Sequence, residues 1–89
     1  SVRPDGLTTS EKSDNGVTVK ANAIRGADYE YAYAVSSSGD KIIAGHSTSD
    51  FKITGLSRNK DYWLYARVAG AADGSYEPSA WSEACKITT

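Results

Sequence analysis

His46 is the only histidine and Cys85 the only cysteine among 89 residues, so nucleophilic chemistry would have to be built around one of them. A serine or cysteine nucleophile needs a base within hydrogen-bond reach, and that base needs a third group to orient it. His46 stands among the small polar residues of Gly45 to Ser49, which describes an exposed loop histidine rather than a poised base. Cys85 alternates with Ile87 in Ala84-Cys85-Lys86-Ile87, which places it on an apolar face as a small buried hydrophobe. A single cysteine leaves no intrachain disulfide. Asp28 and Glu30 have the types of paired glycosidase acids, but both fall on or beside a strand face with no cleft implied, and they are expected to be solvating residues. No HExxH, no Cys/His cluster, no phosphate-cradling glycine loop and no Asp-x-Asp-x-Asp-Gly calcium run occurs. The sequence therefore predicts no catalytic residue, no metal ligand and no cofactor.

Recognition is the chemistry that remains. In Tyr62 to Ala69, Tyr62, Leu64, Ala66 and Val68 share one face, and Trp63, Tyr65, Arg67 and Ala69 share the other. A period of two over this length marks a half-buried strand. Trp63, Tyr65 and Arg67 then project outward, with Trp81 at the entrance to the last strand. Ala32 and Ala34 on a neighbouring strand are small enough to leave the rings uncovered. This face is either a ladder in which arginine stacks on aromatic planes or a docking surface for an adjacent module, a protein or a sugar ring.

The elements that position these residues are strands separated by turn signals. Leu7 to Glu11 follows Pro4-Asp5-Gly6, and Asp14-Asn15-Gly16 predicts a tight turn with positive φ. Val17 to Ile24 alternates with Val17, Val19 and Ala21 inward. Tyr29, Tyr31 and Tyr33 alternate with Glu30, Ala32 and Ala34, and at least one of these buried phenols must reach a hydrogen-bond partner at the end of the molecule. Lys41 to Ala44 is a short strand, Gly45 to Ser49 a loop, Phe51 to Leu56 a further strand, Gly70 to Ala80 a long loop, and Trp81 to Thr88 the last strand. Seven strand candidates and no helical period predict an all-β, seven-stranded antiparallel immunoglobulin-like sandwich, with residues 1–89 as one domain.

The balance of charge narrows the partners. Ten basic and eleven acidic residues, scattered singly, give a net charge of −1, so nothing draws the chain to nucleic acid or to an anionic membrane. No apolar run approaches the roughly 20 residues that span a bilayer.

Leu56 followed by Tyr62 has the spacing of a tyrosine corner, in which a phenol hydrogen-bonds to the backbone connecting two strands. Here the sequence resembles a fibronectin type III domain, whose E strand, E–F corner and F strand carry this pattern. The family commonly has Pro-Gly where this chain has Arg58-Asn59, and Asn59 can supply the left-handed conformation instead. The family also commonly has a tryptophan near Ala21, and its absence leaves volume for the tyrosines to fill. Gly26-Ala27-Asp28-Tyr29-Glu30-Tyr31, the Ser-Gly-Asp turn and Tyr-Trp-Leu-Tyr-Ala-Arg-Val look like the version found in bacterial multimodular secreted and cell-surface proteins, including glycoside hydrolases. Arg25-Gly26-Ala27-Asp28 differs from the integrin-binding Arg-Gly-Asp motif by an inserted alanine, and Trp81-Ser82 is half of the doubled Trp-Ser motif of cytokine receptors.

The resemblance implies a non-catalytic spacer or module-packing domain, secreted or at the cell surface, whose partners are neighbouring modules of the same polypeptide and which is monomeric in isolation. Its rivals are a glycan- or protein-binding module using Trp63, Tyr65, Arg67 and Trp81, and a eukaryotic receptor or adhesion repeat.

Overall fold

The computed structural model describes residues 4, 6–21, 28–70, 74–75 and 77–89. Seven strands follow in order: β1 (Leu7–Ser10), β2 (Val17–Ala21), β3 (Tyr29–Ala34), β4 (Ile42–Ser47), β5 (Phe51–Ile53), β6 (Asp61–Val68) and β7 (Cys85–Thr88). They form a three-stranded sheet ordered β1-β2-β5 and a four-stranded sheet ordered β4-β3-β6-β7, every pairing antiparallel. The expected all-β, seven-stranded antiparallel immunoglobulin-like sandwich is the observed fold.

The core follows from the alternation. Val17, Val19 and Ala21 of β2 face Tyr29 and Tyr31 of β3 and Tyr62, Leu64, Ala66 and Val68 of β6, joined by Leu7, Ile53, Leu56 and Ile87. Tyr31 is fully buried. It accepts a hydrogen bond from the Ala21 amide (3.1 Å) and donates one to the Ser49 carbonyl (2.9 Å), so its phenol reaches the end of the sandwich as the burial of a hydroxyl requires. Its ring stacks on Phe51 at 6.0 Å. A large side chain beside Ala21 thus occupies space that the small β2 residue leaves.

Two glycines are dictated by close approach. A Cβ on buried Gly16 would lie 2.7 Å from the Ile53 carbonyl oxygen, because β5 pairs alongside with Ile53 opposite Val17. A Cβ on Gly45 would lie 2.5 Å from the Phe51 ring. Gly45 sits where the β3–β4 register shifts, Tyr31 opposing Gly45 and Ala32 opposing Ile43, so that Ala44 is the extra residue of a bulge.

Several boundaries differ from those the sequence predicts. Positive φ in the β1–β2 connection falls on Glu11 (49°), while Asn15 and Gly16 have none. Asn15 instead gives its carbonyl to the Leu56 amide (2.9 Å), a tertiary contact that overrides the local Asn-Gly preference. β4 continues to Ser47, so His46 is a strand residue opposite Glu30, held in extended pairing by β3 rather than by apolar burial of its own. β7 begins at Cys85 instead of Trp81, and β6 ends at Val68, one residue before Ala69. The Asp5 turn residue, the end of the second strand at 22–24, the 25–27 segment of the Arg-Gly-Ala-Asp sequence and the Asp73 turn residue lie outside the described residues.

The registers also fix direction. β1 starts opposite Ala21, at the end of the sandwich where β2 finishes and β3 begins. β7 finishes opposite Asp61, and its Thr88 carbonyl accepts from Lys12 in the β1–β2 connection (2.6 Å), at the other end. The chain enters at one end of the sandwich and leaves at the other.

Candidate functional site

Asp61, Trp63, Tyr65 and Arg67 alternate onto the outer face of β6. Cross-strand pairing brings Ala34 opposite Trp63, Ala32 opposite Tyr65 and Glu30 opposite Arg67 on β3, and Lys86 opposite Trp63 on β7. Each ring on this face is covered by a cation. The Lys86 Nζ lies 5.4 Å from the Trp63 ring centre, Lys41 Nζ 4.4 Å from that of Tyr65, and the Arg67 guanidinium 4.3 Å from that of Trp81. Attraction of a cation to the negative face of a ring contributes about 0.5–1 kcal/mol per pair at exposed positions.

The sequence leaves these rings uncovered over alanine, and the structure corrects this. Ala32 and Ala34 are fully buried beneath them, and Tyr65 is only 8% exposed, because Lys41 lies across it from the β3–β4 turn. Trp63 and Trp81 are half-buried. Arg67 is fixed from two sides. Its Nε donates to Glu30 Oε1 (2.7 Å), its terminal nitrogen reaches the same oxygen (2.5 Å), and its plane rests on Trp81. Both members of the pair are about one-quarter exposed, so solvent screens it less than a surface pair. Lys86 also approaches Asp61 at 3.8 Å, and Asp61 accepts from Thr88 Oγ1 (2.6 Å).

Trp81 is held in place by two serines that sequence reasoning missed. In the segment before β7, the Ser79 amide donates to the Val68 carbonyl (3.0 Å) while Ser79 Oγ accepts from the Val68 amide (2.8 Å). Ser82 repeats this with Ala66, at 2.8 and 3.0 Å. Hydroxyl oxygens thus stand in for strand carbonyls, and both serines are buried. Trp81, between them, is presented outward under Arg67. The available signal was the Ser-x-x-Ser spacing around a tryptophan, next to a strand whose amides need acceptors.

At the corner, Leu56 is buried and the Tyr62 hydroxyl accepts from the Ser57 amide at 2.7 Å. The phenol therefore acts as acceptor in this bond. Asn59 takes φ of 53°, the left-handed conformation that the Arg58-Asn59 pair must supply.

His46 is exposed and its Nδ1 lies 3.1 Å from Asp28. Cys85 is on the inner face opposite Leu64 but only half-buried, since β7 is an edge strand, and burial pushes its thiol above the ordinary cysteine range. That disfavours the thiolate a nucleophile would need. No group of three or more His, Cys, Asp or Glu side chains among the described residues could hold a metal ion. No helix among them is long and apolar enough to cross a membrane.

No protein-family profile and no curated protein matches the sequence. Solved structures do. A fourth fibronectin type III domain from human superposes with a TM-score of 0.79 at 18% identity, covering 99% of this chain and 78% of that one. The domain of human fibronectin type III domain containing protein 3 gives 0.77 at 14% identity, covering 98% and 84%. Domains d3–d4 of the rat CD45 extracellular region give 0.71 at 19% identity, covering 98% of this chain and 48% of that one. These are mammalian chains, and they lend no support to the bacterial parent that the sequence resemblance suggests.

Proposed function

We propose that this chain, which has the fibronectin type III fold, is a non-catalytic spacer module of a larger secreted or cell-surface protein, holding neighbouring modules of the same polypeptide at a set separation. The observation that carries this is the placement of entry and exit at opposite ends of the sandwich, across a body whose longest extent is 41 Å. A folded unit threaded in this way sets a distance without needing any reactive group. Likeness of fold supports the role by analogy only.

The covered rings weigh against the rival reading. A sugar-binding platform needs a free aromatic face, and Lys86, Lys41 and Arg67 already lie over Trp63, Tyr65 and Trp81. A glycan would have to displace a cation from each ring, and the single flat ring face gained would not offset the freedom the ligand loses. Tryptophan fluorescence and amide chemical-shift titrations against a glycan panel should show no saturable change, and Trp63→Ala should leave the fold intact. Saturable shifts centred on Trp63, Tyr65 or Trp81 would replace the spacer with a binding module.

A further inference from the structure

Asn15-Gly16 has the sequence of a tight turn, yet neither residue has positive φ. The glycine is required by packing instead, since any Cβ there would lie 2.7 Å from the Ile53 carbonyl oxygen. An asparagine followed by glycine is also a reactive pair, because no side chain shields the glycine nitrogen from the side-chain amide carbon before it. Asn22 and Asn59 are followed by Ala23 and Lys60, whose side chains hinder the same attack. Asn15 is exposed. It lies in the β1–β2 connection, where the Ser13 amide donates to the Gly16 carbonyl (2.9 Å) and the Leu56 amide to the Asn15 carbonyl (2.9 Å). A segment held by turn bonds and single contacts, rather than by a ladder, opens locally at low free energy.

Ser13 supplies a second part of the chemistry. Its Oγ donates to Asn15 Oδ1 at 2.9 Å and accepts from the Asn15 amide at 3.4 Å. A donor on that oxygen draws electron density from Cγ and stabilises the oxyanion that forms when a nucleophile adds there.

We propose that Asn15 is a site of spontaneous deamidation assisted by Ser13. The Gly16 nitrogen, its proton lost to hydroxide, bonds to Asn15 Cγ. The Cγ–Nδ2 bond then breaks, and the amine leaves as ammonia with a proton from water, closing a succinimide. Water adds to one of the two ring carbonyls and breaks its bond to the Gly16 nitrogen. Opening at the backbone carbonyl gives isoaspartate, and opening at Cγ gives aspartate. The net change consumes water, releases ammonia and involves no oxidant.

The two products differ in consequence. Aspartate keeps the backbone and adds a carboxylate next in sequence to Asp14, which Arg58 pairs at 2.6 Å. Isoaspartate routes the backbone through the side chain, a methylene longer between Asp14 and Gly16. The bond from Leu56 and the bond from Ser13 to Gly16 then no longer fit together, so the β1–β2 connection loses its tie to the corner at Leu56.

The test is peptide mapping by mass spectrometry of the folded domain held in mildly alkaline buffer, with electron-transfer fragmentation to tell isoaspartate from aspartate. Asn15 should convert before Asn22 and Asn59. Ser13→Ala, an exposed substitution that leaves both backbone bonds in place, should keep the fold in a thermal melt and convert several-fold more slowly. The isoaspartate form, separated by ion exchange, should melt below Asn15→Asp. Conversion of Asn22 or Asn59 first, a Ser13→Ala rate equal to or above that of the parent, or an isoaspartate form as stable as Asn15→Asp would overturn the proposal.

Discussion

Replacing Tyr62 by phenylalanine removes one oxygen and little else. The ring keeps its edge-on contact with Tyr33, 5.8 Å between centres at 78°, and its place opposite Ile87. What is lost is the acceptor for the Ser57 amide at 2.7 Å. A neutral hydrogen bond contributes a net of about 0.5–1.5 kcal/mol, and a donor left fully buried and unpaired costs about 1–3 kcal/mol. The Ser57 side of this bond is exposed, so water partly replaces the phenol, and the expected loss is about 1–2 kcal/mol. In a domain of this size that lowers the melting temperature by roughly 4–16 °C. Tyr62→Ala adds a cavity among Leu56, Leu64 and Ile87 and should cost about 3–5 kcal/mol. Urea melts with unchanged m-values are the assay, since a shifted midpoint at constant m isolates stability. Tyr62→Phe as stable as the parent would refute the claim that the bond to the Ser57 amide stabilises this corner.

Ser82→Ala should cost about 1–3 kcal/mol by leaving the buried Ala66 amide without an acceptor, whereas Ser82→Thr, which keeps the hydroxyl, should cost less; thermal melts of the two variants give the comparison. Burial holds the Tyr31 phenol above the ordinary tyrosine value of 10.0, so the unfolded chain loses this proton first as pH rises. The native state then binds more protons than the unfolded one, and stability falls with pH from about the ordinary tyrosine value upward. Denaturant melts between about pH 8 and 11 should show this decline, and a Tyr31→Phe variant with an equally steep decline would assign it elsewhere.

Much of the fold was legible because burial of one face of a strand enforces a period of two. β2, β3 and β6 each pack one face into the core, and their inward residues were readable from alternation alone. Asn59 was legible too, since few residues adopt positive φ at low cost. β4 was not, because an edge strand needs no apolar period of its own and Gly45-His46-Ser47 resembles a loop. The start of β7 was hidden by Ser79 and Ser82, whose hydroxyls do the work of carbonyls and so break the ladder that alternation would reveal. Gly16 suggested a turn conformation, whereas its reason is the Ile53 carbonyl, a contact distant in sequence. On the outer face, sequence placed Trp63, Tyr65 and Arg67 together but could not show that Lys41 and Lys86 lie over the rings. That depends on which strands become neighbours and on how far long, flexible side chains fold back.

Entry and exit at opposite ends have a mechanical consequence. Tension between the two ends of the domain pulls β1 along β2 and β7 along β6 in the direction of the strands. Rungs of an antiparallel ladder lie perpendicular to the strands, so such tension strains all the rungs of a pair at once, in shear. A hairpin pulled from its open end would instead peel one rung at a time. The short terminal strands are therefore placed where few bonds resist together, and the domain should yield abruptly under load rather than unravel from an end.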